Sequence, residues 1–205
     1  MPERWWASSA RCQKGIKSIF VFHYLIDSSV ASDFYRPPKS FLPAEDYPHH
    51  RLLQEYVTRQ TLYGQGIVFI ACFCITEVLN TFARWWFREK GVFDSGDQYS
   101  LARNTFINHV RERKSFYSYD MTRYHNINSE KVFRVEHRIK LTRGKHMSGL
   151  DILVIAMGME LKRICGNEIH LLTKDYRQAE IANKKPTFPK AYYWPETPVS
   201  DLPHV

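Results

Sequence analysis

Four acidic side chains stand next to the ends of apolar segments in this chain. Asp27 follows the run "IFVFHYLI", and Asp175 closes the segment "EIHLLTKD". Glu77 follows the segment "IVFIACFC", and Asp151 opens the apolar segment "ILVIAM". If these segments form a parallel sheet with its helices, residues at the carboxyl ends of the strands meet at one edge. We therefore expect all four carboxylates at the same edge of a sheet.

Such a cluster predicts a site for a divalent cation. Carboxylates that lie close together raise one another's pKa unless a cation neutralises their charge. Oxygen ligands at a solvent-accessible edge favour Mg²⁺ or Mn²⁺. A cation held in this way can activate water and neutralise charge on a phosphate, so the chemistry indicated is phosphodiester hydrolysis.

Each acid also has a simpler structural interpretation. Asp27 can be a helix N-cap, Glu77 and Asp151 can be first-turn residues that complement a helix dipole, and Asp175 can be a turn residue. These interpretations explain each acid alone, but they do not predict that all four lie at one edge. The joint pattern therefore favours the metal site.

Three further side chains near these acids have open roles. The hydroxyls of Ser28 and Thr173 either bond the local backbone or help to position water or phosphate. Asp33 is either an accessory acid or an exposed residue on a helix face. The sequence leaves these alternatives open.

The elements that must position the acids alternate along the chain. Apolar, β-branched and aromatic runs predict strands at 18–26, 67–74 and 168–175, with one more at 191–194. Helical spacing predicts a helix from Pro48 to Tyr63, one from Thr76 as N-cap, one from Ser148 with Asp151 in a capping-box arrangement, and a short one in "YRQAEIANKK". This order predicts an α/β fold, a three-layer α/β/α sandwich with a mainly parallel central sheet.

The stretch 91–147 is harder to interpret. The segment "DQYSLARNTFINHVRERK" has a helical pattern, and "SFYSYDMTRYHNI" is either extended or loop. The segment "SEKVFRVEHRIKLTRGKH" predicts a basic helix. We expect an N-terminal extension at 1–17, one domain at 18–195 with insertions around 36–48 and 91–147, and a tail at 196–205.

Composition narrows the class of protein. The 205 residues carry 29 Lys and Arg against 21 Asp and Glu, a net charge of +8, which predicts a surface that attracts polyanions such as nucleic acid. No apolar run approaches the roughly 20 residues that span a bilayer, which predicts a soluble protein without membrane contact. The four cysteines are too irregularly spaced for a disulfide framework or a zinc knuckle, which favours a cytoplasmic location.

The quoted acidic motifs resemble those of a known family. "LIDSSV", "ITEVLN", "LDILVIAMG" and "LLTKD", in this order, are similar to the successive motifs of the PIN-domain nucleases, which include the VapC-type toxins. The resemblance implies a PIN-like fold in which Asp27, Glu77, Asp151 and Asp175 bind Mg²⁺ or Mn²⁺ and are catalytic. It also implies accessory roles for the hydroxyls of Ser28 and Thr173.

The resemblance implies a metal-dependent ribonuclease. Two biological settings stay open: a toxin with an antitoxin partner, and an RNA-processing nuclease. A homodimer is a further implication of the resemblance. The alternative is an inactive PIN-like protein that binds RNA or takes part in assembly. A haloacid-type phosphatase is disfavoured because it needs Asp-x-Asp after the first strand, where this chain has Asp27, Ser28 and Ser29.

One basic cluster precedes the Asp151 helix. The segment "HRIKLTRGKH" is either a solvated helix face or a surface that guides RNA phosphates to the metal, through Arg138, Lys140, Arg143 and Lys145. His125, His137 and His146 lack the spacing of zinc ligands with cysteine partners, so the sequence assigns no metal to them.

Overall fold

The computed structural model describes residues 22–37, 53–55, 66–89, 91–113, 116–139 and 146–201. Several predictions lie outside these ranges: the extension at 1–17, the first residues of the 18–26 strand, most of the 36–48 insertion, and most of the 48–63 helix, of which 53–55 are helical. The predicted RNA-binding residues Lys140, Arg143 and Lys145 also lie outside them.

The centre of the described fold is a sheet in which all strand pairs are parallel. Its strands are β1 (Phe22–Ile26), β2 (Gly66–Ala71), β3 (Tyr117–Tyr119), β4 (Ile169–Thr173) and β5 (Lys190–Tyr193), in the spatial order β3-β2-β1-β4-β5. The α/β prediction with a mainly parallel sheet is confirmed. The order reverses between β1 and β4, so their carboxyl ends form the topological switch point where ligands bind in such sheets.

Helices connect the strands. They are α1 (Ser28–Phe34), α2 (Cys72–Arg84), α3 (Gly96–Glu112), α4 (Arg123–Arg138), α5 (Gly149–Cys165) and α6 (Tyr176–Ala182), with a π-helical turn at Trp85–Glu89 and a 3₁₀ turn at Val199–Asp201. Four successive residues of the central strand β1, from His23 to Ile26, are buried. Because neighbouring strand residues point to opposite faces, both faces of the sheet are covered.

The second predicted strand ends earlier than expected. Strand β2 stops at Ala71 and helix α2 begins at Cys72, so the prediction of Thr76 as its N-cap is wrong. Cys74, Val78 and Phe82 are buried at a spacing of four residues, which shows that the helical period is already established at Cys74. A continuous apolar run does not reveal where a strand gives way to a buried helix. Glu77 therefore lies in the second turn of its helix, not in the first.

The Asp151 helix begins as predicted. Ser148 Oγ accepts a hydrogen bond of 3.2 Å from Asp151 N, and Asp151 Oδ2 accepts one of 3.0 Å from Ser148 N. This reciprocal pair is a capping box and fixes the start of α5. The helix then buries Ile152 and the residues from Val154 to Gly158. The capping box thus holds Asp151 in the first turn of a helix that packs into the core.

No helix within the described ranges has both the length and the apolar character needed to cross a membrane.

Candidate metal centre

Asp27 lies at the carboxyl end of β1 and is the N-cap of α1. Its side chain is only 8% exposed. Asp27 Oδ1 accepts hydrogen bonds from Ser29 Oγ at 2.7 Å and from Val30 N at 2.8 Å. Asp27 Oδ2 accepts from Thr173 Oγ1 at 2.5 Å and from Lys174 N at 3.4 Å. Burial nevertheless dominates these favourable bonds and raises the pKa of Asp27.

Thr173 connects two of the predicted acids. While its hydroxyl donates to Asp27, its Oγ1 accepts a hydrogen bond of 2.9 Å from Asp175 N. Asp175 is the N-cap of α6, and its Oδ1 accepts from Gln178 N at 3.0 Å. The Thr173 side chain is fully buried. This buried hydroxyl therefore links the Asp27 carboxylate at the end of β1 to the backbone of Asp175 just after β4.

Asp151 reaches the same edge from α5. Burial raises the pKa of the Asp151 carboxyl, and the negative charge of Asp175 raises it further. Gln178 Nε2 donates a hydrogen bond of 3.1 Å to the Asp151 carbonyl oxygen. The helices that carry Asp151 and Asp175 are thus joined directly, and the two carboxylates are electrostatic neighbours.

The buried Cys74 thiol is influenced by the charges of several of the acids. Burial raises the pKa of the Cys74 thiol well above its usual range, and the charges of Asp27, Glu77 and Asp151 raise it further. The charges of three of the four acids thus act on one buried sulfur, and the charge of the fourth, Asp175, acts on Asp151. Within the described residues, no three of the four place their oxygens within 4.8 Å of one another. The structure brings the acids to one edge, which we call the acidic rim, but spaces them around it.

A cavity of about 460 Å³ opens beside the acidic rim. Glu77 and the two serines that follow Asp27, Ser28 and Ser29, line one side. The basic side chains of Arg36, Arg84 and Lys174 also line it. A groove of this kind can accept a phosphate backbone next to the carboxylates.

All three of these cations have defined partners, and Arg84 Nε pairs with Glu89 Oε1 at 2.9 Å. Lys174 Nζ forms an ion pair with Asp33, and the Arg36 guanidinium lies 5.8 Å from the centre of the Trp85 ring. Asp33 is 6% exposed, so its interpretation as an exposed helix residue is wrong. Helix α1 is short and packs against α2, which turns Asp33 inward to the cavity.

A chain in the crystal structure of VapBC2 from Rickettsia felis, bound to a DNA fragment from their promoter, aligns with this chain at a TM-score of 0.50. The likeness is one of fold. The alignment covers 83% of this chain and 99% of that chain at 9% sequence identity. It supports the PIN-like prediction for the fold. No family model and no curated protein matches the sequence.

Several site features were not foreseen from the sequence. Arg36, Arg84 and Lys174 were not singled out, although Lys174 stands inside "TKD" and Arg84 follows Glu77 by two helical turns. Of the predicted RNA-binding residues, Arg138 is described, and it is exposed at the end of α4. The structure thus adds basic residues that are nearer to the acidic rim than the sequence had indicated.

Proposed function

We propose that this protein is a Mg²⁺- or Mn²⁺-dependent ribonuclease whose catalytic centre is the acidic rim. The observation that carries the proposal is that Asp27 and Asp175 cap helices at the ends of β1 and β4, where the sheet order reverses, and that the charges of Asp27, Glu77 and Asp151 all act on the buried Cys74 thiol. Burial raises the pKa of Asp27 and of Asp151, and repulsion from Asp175 raises the pKa of Asp151 further. A divalent cation relieves that repulsion, so the donor set fits such an ion.

The spacing of the acids agrees with the coordination habits of Mg²⁺. This ion keeps several of its waters and is commonly held by only one or two carboxylates directly. Asp27, Glu77, Asp151 and Asp175 would therefore hold one or two ions directly or through water. When bound, the ion supplies an activated water and neutralises charge on the scissile phosphate.

The protein's own residues supply positioning. Thr173 holds the Asp27 carboxylate in place and so fixes one side of the centre. Arg36, Arg84 and Lys174 line the adjoining cavity, where phosphates next to the cleaved bond would lie and would compete with Glu89 for Arg84 and with Asp33 for Lys174. The net charge of +8 favours a polyanionic substrate. RNA is the substrate that we propose.

The similarity to a VapBC2 chain favours a toxin with a protein antitoxin as the biological setting. A small antitoxin protein that copurifies with this chain would support this setting. Cleavage of a cellular RNA without any copurifying partner would support an RNA-processing nuclease instead.

One observation favours a second candidate, an RNA-binding or assembly protein without catalysis. Asp27, Asp151 and Asp175 each accept a hydrogen bond from a backbone N–H at the start of a helix, or form a capping box there. Helix capping alone therefore accounts for three of the four acids. In this case the protein would bind RNA through the cavity without turnover.

RNA cleavage separates the two candidates. End-labelled single-stranded RNA is incubated with the protein in Mn²⁺, in Mg²⁺ or in EDTA, and the products are resolved by length and end group. We expect ion-dependent cleavage that leaves 5′-phosphates and is lost in Asp27→Asn and Asp175→Asn. Asp97→Asn, which changes an exposed acid in the first turn of α3, is the matched control and should remain active. Binding of RNA without any cleavage would support the second candidate.

A further inference from the structure

Another group of metal-ligand side chains includes none of the four acids of the rim. Glu136 and His137 are in the last turn of α4, and His146 lies just before the N-cap of α5. The ligand atoms of these three residues are all within 4.8 Å of one another. The chain thus brings two imidazoles and a carboxylate together from two segments.

Glu136 is the buried member of this group. Its side chain is 1% exposed, and its Oε1 lies 2.6 Å from His146 Nδ1. Its Oε2 lies 3.7 Å from His137 Nδ1. A buried carboxylate needs a close cation or hydrogen-bond donors to offset its desolvation. The imidazoles of His137 and His146 both face this carboxylate, so a cation bound to them would also contact Glu136.

Arg177 only partly fills that need. Its Nε is 3.8 Å from Glu136 Oε1, which is too long for a hydrogen bond, and this buried Nε has no hydrogen-bond partner among the described residues. Its shorter ion pair, at 2.8 Å, is with Glu180. The closest side-chain partner of the Glu136 carboxylate is therefore the His146 imidazole.

We propose that Glu136, His137 and His146 bind a divalent transition-metal ion of the Zn²⁺ class. Two imidazole nitrogens and one carboxylate are a common protein donor set for Zn²⁺, with a fourth position left for water. Nitrogen donors select against Mg²⁺, so this site and the acidic rim would take different ions. The ion would take the place of the direct contact between His146 Nδ1 and Glu136 Oε1.

The two histidine ligands are exposed, so an ion can reach them from solution. The side chains of His137 and His146 are 63% and 55% exposed, so the ligands are accessible from solvent. His137 stacks on Phe133 at 6.1 Å with an interplanar angle of 14°, which limits the orientations of its ring. A fixed, buried carboxylate with two accessible imidazoles is partly preorganised for the ion.

The site would join the end of α4 to the start of α5. His137 and His146 stand on either side of the basic sequence that contains Lys140, Arg143 and Lys145. An ion bound to both histidines would tie the two ends of that sequence together, next to the helix that carries Asp151. The proposed role is therefore a structural clip, independent of whether the acidic rim is catalytic.

Metal binding is measured with an untagged protein that carries Asp27→Asn and Asp175→Asn, so that the acidic rim contributes little. Zn²⁺ is titrated in competition with a chromophoric chelator, and Co²⁺ absorption reports the coordination of the ion. We expect one Zn²⁺ per chain, lost in a variant that adds His137→Ala and His146→Ala. His204→Ala, another histidine change, is the matched control and should keep the site.

Both histidines are exposed, but the double change also takes the His146 contact from the buried Glu136, so circular dichroism checks that the variant stays folded. Equal Zn²⁺ stoichiometry and affinity with and without the two histidines would overturn the proposal, as would no Zn²⁺ binding by the parent protein. Limited trypsin digestion tests the clip: Zn²⁺ should slow cleavage after Lys140, Arg143 and Lys145 in the parent protein only. Equal slowing in the double-histidine variant would contradict it.

Discussion

Thr173 donates a buried hydrogen bond of 2.5 Å to Asp27, across the junction of β4 and β1. The two residues are 146 positions apart in sequence, yet both side chains are at least nine-tenths buried. A charged acceptor shortens and strengthens such a bond. The pair therefore fixes the ends of the two strands between which the sheet order reverses, and with them the start of the acidic rim.

Replacing Thr173 should test this role. Thr173→Val keeps the shape of the side chain but leaves Asp27 without its hydroxyl donor, so we expect a loss of about 1–3 kcal/mol in the free energy of unfolding. Thr173→Ser keeps the hydroxyl and should lose less. Chemical denaturation of the three proteins measures the difference. Equal stability of the valine and serine variants would contradict a role for the hydroxyl.

The cavity cations should act on RNA binding. Arg84 lines the cavity and pairs with Glu89 at 2.9 Å; Arg84→Gln removes its positive charge and leaves the Glu89 carboxylate, so we expect weaker binding of single-stranded RNA. If Arg84 contacts one phosphate, the slope of log affinity against log salt should fall by about 0.7. Arg103→Gln, which changes an exposed arginine on α3, is the control. Fluorescence anisotropy at several salt concentrations makes the comparison, and an unchanged slope for Arg84→Gln would exclude it from the RNA path.

His170 should make stability depend on pH. Burial lowers the pKa of His170 from 6.5 to about 4, while the unfolded chain keeps the ordinary value. Between these values the unfolded state binds more protons than the folded state, so the free energy of unfolding falls as pH falls from 6.5 to about 4. His170→Gln removes this contribution and should flatten the profile. Denaturation at a series of pH values tests it; parallel profiles for the two proteins would refute it.

Gly158 should be intolerant of a side chain. A Cβ at this position would lie 2.7 Å from Pro189 Cγ and 3.3 Å from Leu25 Cδ2, and a proline ring cannot move aside easily. Overpacking typically costs about 1–3 kcal/mol, which exceeds the roughly 1 kcal/mol that alanine gains over glycine in a helix. We expect Gly158→Ala to lower the melting temperature. Gly149→Ala is the control, because a Cβ there meets nothing within 4 Å. Similar melting temperatures for both variants would contradict the close packing.

The sequence predicted the features that local patterns encode. The apolar runs at β1 and β4 and the capping box of Ser148 and Asp151 are local, and the structure contains all of them. The start of α2 at Cys72 was missed because strand and buried helix are equally apolar there. Strand β3, from Tyr117 to Tyr119, could not be distinguished from a loop because three residues are too few to show the alternating pattern of a strand.

Contacts between distant residues could not be predicted in the same way. The ion pair of Lys174 with Asp33 depends on the packing of α1 near the end of β4. The group of Glu136, His137 and His146 depends on where α4 ends relative to α5. Neither the ion pair nor the three-residue group corresponds to a sequence pattern of known spacing, so both become visible only in the tertiary structure. The positions of the acidic motifs could be predicted because each motif lies next to the end of a strand or the start of a helix, which local sequence patterns indicate.

The binding of Mn²⁺ tests the central claim most directly. Electron paramagnetic resonance of free Mn²⁺ is measured during titration of the His137→Ala, His146→Ala protein, with and without Asp27→Asn and Asp175→Asn. If the acidic rim is a metal centre, one or two Mn²⁺ should bind per chain, and the added changes should abolish this binding. Mn²⁺ binding that is absent, or that is unaffected by the loss of both aspartates, would show that these acids serve as helix caps and not as a metal centre.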